Sequence, residues 1–424
     1  MTPGEAVDYI EHYGWSTTRL GLSRTRELLR RLGDPQKQLK FVHVTGSNGK
    51  GSTCAMLDAI LRAAGYRTGL YTSPYIQNFC ERIQIDGENI SGADLAAATE
   101  RVRAEAEAME DHPSQFELVT AVAMLYFAEQ RCDIVVLEVG MGGALDSTNV
   151  IDCPEAAVIT NVGLEHTEYL GDTLEKIAAT KAGIIKTGCR AVCYDGAEEV
   201  TAVVRRDCAE KDVPLRFADF AKVTPLSQDL DGQRFLWDGM EYRLALLGEY
   251  QLHNAATALE TVAALREGGW SIPEAAVREG LARVKWPARL EVMRREPLFL
   301  IDGGHNPQCA EALAKSLSAL LPGKKVVFLL GVLADKDYPR MLELLTPLAR
   351  EFVCLTPLSD RALSADELAA YLSGRGAGAR AFADIPSGLR AALDAAGKDG
   401  AVVAFGSLYL VGAVRGAFLE RFAD

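Results

Sequence analysis

The stretch "LKFVHVTGSNGKGSTCAMLDAILRAAG" sets a short apolar run, a glycine-rich turn and a helical pattern in immediate succession. A strand that runs through a tight turn straight into a helix commits this part of the chain to an α/β arrangement. A phosphate-binding loop needs backbone N–H groups aimed at phosphate oxygens and a helix N-terminus behind them. It also needs a lysine for the β- and γ-phosphates and a hydroxyl for magnesium. Gly46, Gly49, Lys50, Gly51 and Ser52 supply those parts. The spacing departs from G-x-x-x-x-G-K-[ST], which would require glycine where Val44 stands, and forms a shortened G-x-x-G-K-G-S. On residues alone two readings stand: a phosphate cradle, or a tight strand-to-helix connection with a solvated lysine.

The rest of the chain extends the alternation. "KFVHV", "DIVVLEVG", "EAAVIT" and "CRAVCY" are Val- and Ile-rich runs separated by helical patterns, which predicts a largely parallel sheet wrapped by helices. At 424 residues, 48% of them hydrophobic, the chain is long enough for two cores. Between about Pro214 and Leu247 the turn signals Asp231-Gly232 and Asp238-Gly239 predict small antiparallel hairpins. Beyond "KWPARLEVMRREP", with its prolines and charges, a new strand-helix series begins, so the domain boundary is expected near Glu296, giving domains 1–296 and 297–424.

A net charge of −13 repels nucleic acid and anionic membrane, so any anionic substrate must meet a local basic patch. The nine cysteines show no CxxC or paired Cys/His pattern and read as reduced core thiols. With neither a signal-type N-terminus nor an apolar segment of spanning length, the expected location is the cytoplasm.

Polar residues recur where strands end, the edge at which open α/β sheets collect ligands. Glu138 closes "DIVVLE", and is either a magnesium carboxylate or a strand-end acid facing solvent. Ser73 in the Ser-Pro turn either offers a hydroxyl to a cation or only bends the chain. His166 and Lys181, taken singly, read as a structural histidine and a solvated helix charge. In the second domain Asp302, His305 and Asn306 precede a helix begun by Pro307. "SRTRELLRR" reads as a solvated helix face rather than a lure for anionic substrate.

Together "VTGSNGKGST", "YTSPYIQNFCERI", "LEVGMGGALDSTNV", "HTEYLGDTLEKIAATKAGIIK", "HNAATAL", "WPARLEV", "IDGGHNP", "GVLADKDY" and "GSLYL" resemble, in order and spacing, the folylpolyglutamate synthase/dihydrofolate synthase family of Mur-type ATP-dependent amide ligases. The resemblance implies a P-loop-type ATPase domain followed by a smaller Rossmann-like domain. It implies that Gly46, Asn48, Gly49, Lys50, Gly51 and Ser52 contact ATP phosphates, and that Ser52, Ser73, Glu138 and His166 hold two Mg²⁺ ions. Lys181 matches a lysine carbamylated by CO₂, and Asn254, Arg289, Asp302 and His305 match nucleotide-binding positions. Lys50, Lys181, His166, Arg289 and His305 form the implied catalytic set, while Phe116, Glu117, Ala144 and Asp146 fall where the family meets its pterin substrate.

Ala144 replaces an arginine of many bifunctional members, and Tyr75 a histidine that often follows Ser-Pro. Both replacements favour folate polyglutamylation over dihydropteroate ligation. The implied substrates are reduced folate, L-glutamate and ATP, and the implied state is a monomer. A bifunctional enzyme or dihydrofolate synthase is the alternative, and a P-loop switch that ligates nothing is a more distant one.

Overall fold

A computed structural model describes residues 1–12 and 21–422. By its internal contacts the chain divides into two units. The first holds Met1–Thr224, Phe235–Arg243 and His253–Val284; the second holds Pro225–Arg234, Leu244–Leu252 and Lys285–Asp424.

The first unit is organised on eight strands: β1 (Phe41–Thr45), β2 (Thr68–Tyr71), β3 (Ile83–Ile85), β4 (Glu88–Asn89), β5 (Ile134–Glu138), β6 (Ala156–Ile159), β7 (Arg190–Tyr194) and β8 (Leu215–Ala218). Their order is β4-β3-β2-β5-β1-β6-β7-β8. Pairing is parallel from β2 through β8 and antiparallel only at the β3 and β4 edge. The central strands β1, β5 and β6 are buried along their whole length, as continuous apolar runs require when helices cover both faces. One face packs Phe41, Tyr71, Leu118, Val122 and Phe127 into a single core. Because β1, β2 and β5 run the same way, their C-terminal ends form one edge, from which the loops carrying the glycine turn, Ser73 and Glu138 emerge.

Two sequence expectations shift. The hairpin region was expected to begin near Pro214, yet Leu215–Ala218 pairs in parallel with β7 and completes the main sheet. Only then do β9 (Val223–Asp229), β10 (Gly232–Trp237) and β11 (Met240–Leu244) form a separate three-stranded sheet. Asp238 and Gly239, both at positive φ, make the two-residue turn between β10 and β11.

The second unit carries β12 (Glu291–Arg295), β13 (Leu298–Ile301), β14 (Val326–Leu330), β15 (Ala349–Cys354), β16 (Ala379–Ala381) and β17 (Ala401–Phe405), ordered β12-β13-β17-β14-β15-β16. All pairs are parallel except β12 with β13. Glu296 and Pro297 form the turn of that hairpin, so the position expected to separate domains lies inside the second unit, and the division falls after Val284. Of the charges that resembled a linker, Glu291, Arg294 and Arg295 lie on the edge strand β12, where charged residues discourage pairing with another chain, and Pro287 and Pro297 flank it. Among the described residues no helix is long and apolar enough to cross a membrane, and the nine cysteines are free.

Candidate nucleotide and substrate site

The glycine turn is built so that only glycine fits. Gly46 has φ +152°, and a Cβ there would lie 1.9 Å from Thr160 Oγ1; Gly49 has φ +87°, and its Cβ would lie 2.4 Å from Asn254 Oδ1. The Ser47 and Asn48 N–H groups donate to Asn161 O at 2.7 and 3.3 Å, which pins the loop to the end of β6. The helix Lys50–Ala63 starts immediately, with no side-chain cap at Gly49. Its first-turn N–H groups therefore face out of the helix toward a ligand. Lys50 is not a solvated charge: Nζ folds back over the loop and donates to Gly46 O at 2.9 Å and Ser47 O at 3.3 Å. That geometry fits a phosphate cradle.

Glu138 pairs in register with Val44 at the same sheet edge and is 4% exposed. Its Oε2 accepts the Ser73 N–H at 3.0 Å, which brings β2 and β5 loops together. Ser52 is buried in the first helical turn. His166 is exposed, at φ +44°, and leads into the short helix Thr167–Leu170. Among the described residues no group of three or more His, Cys, Asp and Glu is gathered to hold a metal. Magnesium does not require one, because it usually rests on one or two carboxylates and takes its other oxygens from water and substrate phosphates. The hard oxygen donors of Ser52, Ser73 and Glu138 beside a phosphate cradle fit that mode.

Lys181 departs most from its sequence reading. It is 1% exposed, in the last turn of the helix Leu174–Ala182, and donates to Glu165 Oε1 at 2.8 Å. Burial, followed by repulsion from Lys50, lowers the Lys181 ammonium to about 8 against the opposing pull of Glu165. Glu165, despite burial, is held down to about 2 by Lys50 and Lys181. Sequence reasoning missed Glu165; the available signal was an acidic residue beside His166 in a strand-end turn.

On the presumed pterin side, Phe116 packs so closely that a Cβ on Gly140 would lie 2.5 Å from its Cζ, and its ring centroid is 6.1 Å from Tyr71. Ala144 donates its N–H to Thr180 O at 2.8 Å, and a Cβ on Gly183 would lie 2.4 Å from the Ala144 Cβ. Tyr75 donates its hydroxyl to Glu11 Oε1 at 2.9 Å, with the Arg82 guanidinium 5.3 Å from the ring centroid.

Two expected substrate carboxylates turn to protein partners instead. Asp146 accepts from Met141 N at 2.9 Å, Thr148 N at 3.0 Å and Thr148 Oγ1 at 2.5 Å. Glu117 accepts from Arg24 Nε at 3.0 Å, Thr25 Oγ1 at 3.2 Å and Ser114 N at 2.8 Å. Arg24 is correspondingly buried, so "SRTRELLRR" is only in part a solvated face; Arg30 and Arg31 pair with Glu27 outside. Glu117→Ala removes the buried carboxylate from the Arg24 guanidinium and leaves it the half-exposed Asp111, 3.4 Å from Nη1. We expect it to lower unfolding free energy by about 2 kcal/mol in urea titration; an unchanged midpoint would show that Asp111 alone satisfies Arg24.

Within the second unit, Arg289, Asp302 and His305 meet where β13 ends. Asp302 accepts from Leu290 N at 2.9 Å and Gly304 N at 2.8 Å, and burial raises its carboxyl. Arg289 Nη1 donates to Ala288 O at 2.9 Å, and a Cβ on Gly303 would lie 2.8 Å from that nitrogen. His305 Nδ1 lies 3.2 Å from Gly303 O, and Asn306 caps the helix Pro307–Leu320 through Cys309 N. Asp302 thus shapes the turn that presents Arg289 and His305.

Residues 44–262 match the Mur ligase middle domain, and residues 288–408 match the Mur ligase glutamate ligase domain. Folylpolyglutamate synthase of Lacticaseibacillus casei is 37% identical over 99% of both chains. Dihydrofolate synthase/folylpolyglutamate synthase of Bacillus subtilis is 37% identical over 78% of this chain and 79% of its own. The solved Mycobacterium tuberculosis folylpolyglutamate synthase, complexed with ADP and AMPPCP, superposes with a TM-score of 0.89 at 34% identity, over 98% of this chain and 99% of that one. The sheet edge that carries a glycine loop, a folded-over lysine and a buried acid is therefore that of a Mur-type ligase, and the chain belongs to the folylpolyglutamate synthase/dihydrofolate synthase family.

Proposed function

We propose that the protein is an ATP-dependent ligase that adds L-glutamate to the γ-carboxylate of a reduced folate. The observation that carries this beyond nucleotide binding is Lys181: a buried lysine, lowered to about 8, in the electrostatic reach of the phosphate-loop lysine. A nucleotide switch has no use for such a group. A ligase that must gather anions and cations around a transferring phosphoryl does.

Joining a carboxylate to an amine in water is uphill, so the folate carboxylate oxygen first attacks the γ-phosphorus of ATP, the bond to the β,γ-bridging oxygen breaks, ADP leaves and an acyl phosphate remains. The glutamate amine then displaces phosphate through a tetrahedral intermediate. Lys50 and the first-turn N–H groups hold the phosphates, and family resemblance assigns nucleotide-binding roles to Arg289 and His305. Ser52, Ser73, Glu138 and His166 would hold two magnesium ions, which would supply charge neutralisation of the phosphates. A carbamate on Lys181 turns a cation that would repel magnesium into an anionic oxygen group. Phe116 and Ala144 face the pterin, whereas Asp146 and Glu117 build the walls behind them. The same reading makes the protein a cytoplasmic monomer with small-molecule partners only.

The deciding experiment measures ATP- and Mg²⁺-dependent phosphate release with L-glutamate, comparing tetrahydropteroyl-monoglutamate with dihydropteroate and weighing products by mass. We expect glutamate-dependent release and a one-glutamate mass gain with the folate. Release without a new amide would overturn the ligase reading, and equal turnover of dihydropteroate would make the enzyme bifunctional and strip Ala144 and Tyr75 of any role in substrate choice.

A further inference from the structure

β1 sends two side chains from one face, His43 and Thr45, to the segment that follows β5. Thr45 Oγ1 donates to Gly142 O at 2.6 Å, and His43 Nε2 lies 2.8 Å from Thr148 Oγ1. His43 is wholly buried on the central strand. Burial, with the charge of Lys186 second, pushes its imidazole down to about 3, so the ring stays neutral. A neutral imidazole has one N–H and one bare nitrogen. Thr148 Oγ1 stands 2.5 Å from Asp146 Oδ1. Burial raises the Asp146 carboxyl, but both its oxygens already accept backbone N–H groups, Oδ1 from Thr148 N and Oδ2 from Met141 N, so the Thr148 hydroxyl donates to Oδ1 and its oxygen accepts from His43 Nε2–H. That leaves Nδ1 buried with no hydrogen-bond partner. An apolar side chain would avoid this defect, so packing does not explain a histidine here.

We propose that His43 is a positioning residue: acting through Thr148 on Asp146, and beside Thr45, it fixes the Gly140–Asp146 turn to the strand that delivers the phosphate loop. That turn carries Ala144 and Leu145, the latter 49% exposed. Strand β1 thereby sets the nucleotide loop and the folate-facing turn from one rigid element. The kinetic part of the inference rests on the folate reading of that turn; the hydrogen-bond direction does not.

Thr148→Val removes the relay while keeping the side-chain shape, and Thr148→Ser keeps the hydroxyl. We expect Thr148→Val to raise KM for the folate about tenfold with KM for ATP within about twofold, and Thr148→Ser to restore most of the loss. In ¹⁵N-imidazole NMR of the whole protein, His43 should appear as the Nε2–H tautomer, unprotonated between pH 5 and 9, with its Nε2–H signal moved in Thr148→Val. A Nδ1–H tautomer, or a signal indifferent to Thr148→Val, would overturn the relay. So would a Thr148→Val enzyme that keeps the wild-type folate KM, or one whose two KM values shift together. If the wild type shows no folate-dependent phosphate release, the folate reading fails by itself, and the tautomer still decides whether His43 orients Asp146.

Discussion

Lys50→Ala lowers kcat by about a thousandfold, close to 4 kcal/mol of barrier, in a protein that remains folded. The expectation follows from where the ammonium sits. Lys50 is the first residue of the helix Lys50–Ala63, and its Nζ lies over the loop, on Gly46 O and Ser47 O. On the function proposed above, the ammonium meets the β- and γ-phosphates at the helix N-terminus, and its charge counts most as the γ-phosphoryl separates. Alanine leaves the positive-φ glycines and the Asn161 contacts untouched, so far-UV circular dichroism and the thermal midpoint should change little. ATP affinity, measured by calorimetry, should fall less than kcat, because the lysine does more for the transferring group than for the bound one. Arginine should not rescue, since a planar fork cannot occupy the place of a point charge under two carbonyls. Near-normal turnover of Lys50→Ala would sink the cradle.

The architecture was legible because its signals are local. Fully buried parallel strands appear as unbroken apolar runs, and "KFVHV", "DIVVLEVG", "EAAVIT" and "CRAVCY" became β1, β5, β6 and β7. Leu215–Ala218 was less legible, since an edge strand beside hairpins shares their alternation. The site divides in the same way. Gly46 and Gly49 are fixed by backbone geometry that only glycine meets, which a sequence displays openly. Glu117 and Lys181 are decided by partners distant in the chain, Arg24 for the first and Glu165 for the second, whereas Asp146 is held by its own turn, through Met141 and Thr148. Helical spacing alone gave Lys181 a solvated face, and nothing local to "IAATKAGIIK" announces that its ammonium is buried.

Burial of that ammonium makes Lys181→Ala the second large effect. An amine must be neutral to take up CO₂. A lysine at its ordinary value is neutral in about 0.03% of molecules at pH 7, whereas one near 8 is neutral in about 10%. Burial and Lys50 therefore raise the neutral fraction that the proposed carbamylation requires, and Glu165 opposes them by holding the charged form. We expect Lys181→Ala to lose about a thousandfold in kcat and to regain part of it with added acetate or propionate, which return an anionic oxygen pair to the vacated space. Intact mass and ¹³CO₂ labelling should show one carbamate in the wild type and none in the variant, with labelling that rises from pH 7 to 9. A stability measurement gives an independent sign in CO₂-free buffer. With the folded amine at about 8 and its ordinary value at 10.5, the unfolded chain binds more protons between those limits. Wild-type stability should therefore gain on that of Lys181→Ala as pH rises through this window. Full activity in Lys181→Ala would show that the lysine is dispensable, and carboxylate rescue that equals the effect of chloride would show that it acts as a plain ammonium and that the metals need no carbamate.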